Sequence, residues 1–157
     1  GNAAVPQPAK SVDLPRYLGK WYEIARYEQS FQKGCEGVTA DYALRADGGI
    51  DVRNACRKAD GEKMESVGEA RKVDGHPGQL KVRFAPGWLS WLPFVWADYW
   101  VIDLDKDYGW AVVGGPGQKY LWILSRTPEL PAATYQGLLD TLAAKGFDLQ
   151  RIQRSTP

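Results

Sequence analysis

Gly19-Lys20-Trp21-Tyr22-Glu23, near the start of the chain, and Trp122-Ile123-Leu124-Ser125-Arg126, in its last quarter, decide the fold. A tryptophan opens the first strand and an arginine closes the last. Between them runs one short strand after another, with no long helix. Strands written this way belong to a sheet that closes on itself, so that its end strands pair. Closure brings the Arg126 guanidinium over the Trp21 ring, a cation–π contact worth roughly 0.5–2 kcal/mol depending on how dry it is. A closed barrel has an inside in which to hold something.

Period-two alternation of β-branched and aromatic residues places eight strands at Gly19–Tyr27, Gly37–Arg45, Ile50–Arg57, Lys63–Val73, Gln79–Phe84, Ala97–Leu104, Gly109–Gly114 and Lys119–Ser125. The links between them are short and rich in turn residues, as in Asp47-Gly48-Gly49 and Gly115-Pro116-Gly117. Eight antiparallel strands in this order make an all-β, up-and-down β-barrel wide enough for one small ligand. A helix follows at about Pro131–Lys145, stopped by Gly146. Its stripe of Tyr135, Leu138, Leu139 and Leu142 is expected to pack on the outside of the barrel. Leu14-Pro15-Arg16-Tyr17-Leu18 reads as a short 3₁₀ turn plugging the base.

Tyr17 to Arg26 and Tyr120 to Pro128 resemble the two end motifs of the lipocalin family, and more narrowly its bacterial Blc-type branch, whose animal relative is apolipoprotein D. The resemblance covers about residues 14–152. The family's middle Thr-Asp-Tyr motif is altered here to Asp103-Leu104-Asp105-Lys106-Asp107-Tyr108. Gly19, Trp21, Asp107, Tyr108 and Arg126 are therefore expected to be structural residues gathered at the closed end.

Composition narrows the function. The chain of 157 residues fits one domain, with residues 1–13 as a lead, 14–152 as the lipocalin domain and 153–157 as a tail. The net charge of +1 gives no electrostatic case for nucleic acid. Seven tryptophans supply large, rigid apolar surface of the kind found in a pocket or an interface. The small, polar segment Gly1–Lys10 reads as a mature or truncated end from which an export signal has gone. The resemblance implies a cell-envelope location, periplasmic or anchored to the outer membrane as a lipoprotein.

Cys35 precedes the second strand and Cys56 ends the third, and those strands form a hairpin. A disulfide between them is expected, with two buried thiols as the alternative. A simple register sets Cys56 nearer Thr39, so the bond requires a bulge or a folded-back lead-in. If formed, it stabilises by about 3 kcal/mol in the chain-entropy model. No Cys/His spacing suits a metal, and no metal or cofactor is expected.

Strand alternation sorts the faces. Expected inward are Trp21, Glu23, Ala25 and Tyr27; Val38, Ala40, Tyr42 and Leu44; and Ile50, Val52, Asn54 and Cys56. Beyond them come Ser66, Gly68 and Ala70; Leu80, Val82 and Phe84; and Tyr120, Trp122 and Leu124. The sixth and seventh strands are apolar on both faces; Tyr99, Val101, Val112 and Gly114 are taken as inward. Many of these residues are small, which leaves volume a solid core would fill. Expected ligand contacts are Glu23, Ala25, Tyr27, Ala40, Tyr42, Asn54, Ser66, Gly68, Phe84, Trp91, Trp96, Tyr99, Val112 and Trp122.

Glu23 either meets a polar head group or cation, or is a buried acid bonded to a nearby Arg or Tyr; the second is favoured. The segment Trp88–Trp96, bent by prolines at the mouth, either touches a membrane surface or folds in as a lid. The lone histidine, His76, sits in a turn, and no serine has a nucleophile-elbow context, so Ser/His hydrolysis is not expected. The resemblance implies non-enzymatic binding of a fatty acid or lysophospholipid, head group near the mouth, by a monomer or weak homodimer. The rivals are a pigment or tetrapyrrole carrier, an enzyme using Glu23 or Asp103 as acid, and an interaction protein docking through Trp88–Trp96.

Overall fold

The computed structural model describes residues 11–27, 35–84 and 96–157. A one-turn helix α1 (Leu14–Tyr17) starts where Pro15 suits the first turn, and it buries Leu14 and Tyr17. Eight strands follow: β1 (Gly19–Tyr27), β2 (Glu36–Leu44), β3 (Ile50–Arg57), β4 (Lys63–Lys72), β5 (Gln79–Phe84), β6 (Ala97–Leu104), β7 (Trp110–Gly114) and β8 (Leu121–Ser125). Then come α2 (Ala132–Ala144) and a short β9 (Ile152–Arg154). Consecutive strands pair antiparallel, and β1 pairs with both β2 and β8, so the barrel is closed. The upper part of β1 also pairs with β9, a strand too brief to leave a periodic signal. It reaches into the stretch expected as a tail.

Two apolar clusters lie on opposite sides of the barrel wall. Inside are Trp21, Tyr42, Ile50, Val52, Ala70, Leu80, Val82, Tyr99, Val101, Val113 and Leu124, with Leu14 and Tyr17 of α1 filling the base. Outside, Ile24, Ala25, Tyr27, Ile102, Val112, Leu121 and Ile123 pack against Tyr135, Leu138 and Leu142 of α2. This second cluster explains why β6, β7 and β8 are apolar on both faces: one faces the interior and the other faces the helix.

The strand phase departs from simple alternation twice. A register shift between Glu23 and Ala25 inserts Ile24 as a bulge, which turns Ala25 and Tyr27 outward and Arg26 inward. A second shift between Val101 and Asp103 leaves Ile102 outside, and Val113 rather than Val112 lines the interior. Ala25, Tyr27 and Val112 therefore do not line the interior as expected. Gly114 also turns away from it, since a Cβ there would meet the Ile102 side chain. Leu44, the last residue of β2 before the β2–β3 turn, is 61% exposed rather than inward.

Cys35 and Cys56 form a disulfide. The bulge it requires is present: the β2–β3 register shifts between Glu36 and Thr39, at Gly37 with φ +60°. A side chain on Gly37 would collide with the Arg57 guanidinium.

Candidate functional site

The closed end is built around Arg126. Its guanidinium lies 3.8 Å from the Trp21 ring centroid. It donates to the carbonyl oxygens of Lys20, Arg16 and Leu18 at 3.0, 2.8 and 2.9 Å, and through Nε to that of Tyr108 at 3.4 Å. One side chain thus satisfies carbonyls from α1, the start of β1 and the β6–β7 turn. Trp21 Nε1 in turn donates to the Tyr17 carbonyl at 2.8 Å. Gly19 has φ +100°, and a Cβ there would press on Arg126, so glycine alone fits. In the β6–β7 turn it is Asp105, rather than Asp107, that accepts from the Gly109 amide; Tyr108 takes a positive φ and its ring lies under Arg16.

Above this base, three buried tyrosines from three elements meet. Tyr99 of β6 shares hydrogen bonds with Tyr17 of α1 at 2.5 Å and with Tyr42 of β2 at 2.9 Å. The rings pack edge-on or tilted, with centroids 5.7–6.5 Å apart. Burial pushes all three hydroxyl pKa values up, that of Tyr42 to about 12, so each stays a neutral donor.

Toward the open end the inner wall is smaller and more polar. Trp21, Ala40, Asn54 and Ser66 lie in register across β1 to β4, and β4 then steps back toward the base through Gly68, in the row of Tyr42, and Ala70, in the row of Ile50. Ser66 is only 5% exposed, and its hydroxyl has no hydrogen-bond partner among the described residues. Trp122 faces in beside Val113, its ring 5.1 Å from that of Tyr120. These positions, with Tyr42 and Tyr99, share one interior.

Glu23 is 8% exposed and is met from within the protein. Arg26 Nη1 and the Ser155 hydroxyl both lie 2.6 Å from its Oε2. Burying an ionised carboxylate is costly unless it is paired and hydrogen-bonded, and here it is both. The bulge at Ile24 makes this pair: without it Arg26 would point outward. Asp103, the other acid considered for catalysis, sits opposite the outward Val112 and bonds the Leu104 amide.

Trp96 does not line the interior. It lies outside, with Arg71 and Arg83 stacked on its ring at 4.3 and 4.7 Å. The reason is phase: Arg71 and Arg83 occupy outward positions of β4 and β5, and Trp96 covers them. The expectations for Trp91, for the Phe84 side chain and for residues 88–95 of the mouth segment lie outside the described residues. Sequence reasoning expected an Arg or Tyr partner for Glu23 without identifying Arg26, which the bulge brings to it, and missed the tyrosine cluster as a unit, which draws on three distant elements.

The model of the lipocalin-like domain matches residues 12–157. The chain is 42% identical over 155 residues to the outer membrane lipoprotein Blc of Escherichia coli K12, covering 93% of this chain and 83% of that one. It is 32% identical over 160 residues to mouse apolipoprotein D, covering 97% and 80%. Among solved structures, insecticyanin of the tobacco hornworm Manduca sexta matches with a TM-score of 0.74 at 17% identity, over 97% of this chain and 84% of that one, a likeness of fold alone.

Proposed function

The chain belongs to the lipocalin family, whose members bind small hydrophobic molecules, and from that premise we propose that it carries or stores a fatty acid or lysophospholipid in the bacterial cell envelope without chemical turnover. The observation that carries this reading is the contrast along the barrel axis. The base is packed with Leu14, Tyr17, Tyr42 and Tyr99, whereas the row above it, beside Trp21, holds the small or polar Ala40, Asn54 and Ser66. Small side chains on facing strands leave room for an acyl chain, and each methylene buried there contributes roughly 0.8 kcal/mol before the cost of ordering it.

The proposed ligand contacts are Ala40, Tyr42, Asn54, Ser66, Gly68, Tyr99 and Trp122, with Glu23 holding the wall through Arg26 rather than taking a proton from substrate. The envelope location is supported by the similarity to a protein named an outer membrane lipoprotein. Native mass spectrometry of the purified chain, followed by denaturing extraction and lipid analysis, tests the proposal. A stoichiometric fatty acid or lysophospholipid is the expected result. An apo mass that stays apo after lipid is added would overturn it, and a coloured ligand would put a pigment in its place.

A further inference from the structure

Three buried tyrosine hydroxyls carry three protons, but they share only two hydrogen bonds, Tyr17 to Tyr99 and Tyr99 to Tyr42. Whichever way the chain of donors runs, one O–H is left without an acceptor among the described residues. A buried donor left unmade is costly, so its retention calls for an explanation. Packing does not supply it, because phenylalanine would fill the same space with no polar atom. The hydroxyls come from α1, β2 and β6, so no local turn explains their meeting.

We infer that this cluster anchors the carboxyl end of the bound lipid, which enters carboxyl-first and lies with its chain toward the mouth; this rests on the lipid-carrying reading above. The spare O–H donates to the carboxyl carbonyl. In its protonated form the acid's own O–H finds lone pairs on the tyrosine oxygens, none of which is used up by two bonds. Neutral hydroxyls alone compensate an ionised carboxylate only in part. Burial raises the tyrosine pKa values and keeps the hydroxyls neutral donors, and the Arg126 guanidinium in the base supplies the positive charge beneath them. This orientation reverses the one the sequence suggests, in which the head group stays among the tryptophans of the mouth.

The test uses delipidated protein loaded with palmitic acid labelled with carbon-13 at the carboxyl, a soluble gadolinium chelate, and the variants Tyr99→Phe and Tyr42→Phe. The expected carboxyl resonance is sharp, unaffected by the chelate, and shifted in either variant. Tyr99→Phe is expected to weaken palmitate about tenfold. It should change N-phenyl-1-naphthylamine, an apolar probe with no oxygen to accept the bond, less than twofold. A carboxyl resonance broadened by the chelate places the head at the mouth and overturns the inference while leaving lipid carriage intact. Failure of the wild-type protein to bind either palmitate or the naphthylamine probe overturns both. The wild-type measurement decides the orientation even if neither variant folds.

Discussion

Arg126 shows how much one side chain can fix. Its charge could be kept by lysine, but the fork that reaches the carbonyls of Arg16, Leu18 and Lys20 could not. Arg126→Lys is therefore expected to lower stability by about 2–3 kcal/mol, read as a shift in the urea midpoint at constant slope. A loss within about 0.5 kcal/mol would mean that the ring contact alone closes the base. The tyrosine floor gives a prediction in pH. A folded-state pKa raised above the unfolded value of 10.0 means the folded protein keeps its proton longer, so stability is whole below pH 10 and falls as pH rises. For Tyr42, raised to about 12, this amounts to about 2–3 kcal/mol lost between pH 10 and 12, and Tyr17 and Tyr99 deepen the fall. Urea midpoints across that range should drop steeply, and less so in Tyr42→Phe; an unchanged slope in that variant would contradict the burial argument.

At the scale of elements, β9 is the part the sequence hid. Three residues cannot display a period, yet they pair with Ala25, Arg26 and Tyr27, and the residues after them bond Glu23, Gly37 and Arg57. The chain's end thus spans the place where β1 leaves β2. Removing residues 152–157 is expected to raise amide exchange selectively at Ala25–Tyr27 and around Gly37, leaving β5 and β6 protected. Uniform exchange throughout would show that the end does not brace that seam. The strands themselves were legible, because alternation marks a wall with two different sides. Their inward faces were legible on β2 to β5, where one side meets water, except at the strand end Leu44. On β1 they were misread past Glu23, where the bulge at Ile24 changes the phase and leaves no compositional mark, whereas Tyr99 and Val101 on β6 were read correctly ahead of the bulge at Ile102. On β7 the outer face is as apolar as the inner, since α2 covers it.

At the scale of the whole molecule, the question is whether the barrel is a solid core or a container, and stability can be set against binding to answer it. A packed interior resists added volume: inserting a large side chain typically costs 1–3 kcal/mol. An open one accepts it, and gains apolar contact in exchange. Ser66 is the place to ask, because it is buried, faces inward beside Asn54 and has no hydrogen-bond partner among the described residues to lose. Ser66→Phe is expected to leave the urea midpoint unchanged or raised while abolishing uptake of a fluorescent fatty acid. A fall in stability of the size of an overpacked core, with uptake in the wild type already absent, would mean that Trp122 and the tyrosines fill the interior. Stability held and uptake lost is the pairing only a container can give, since a solid core has no ligand to displace and no room to lend.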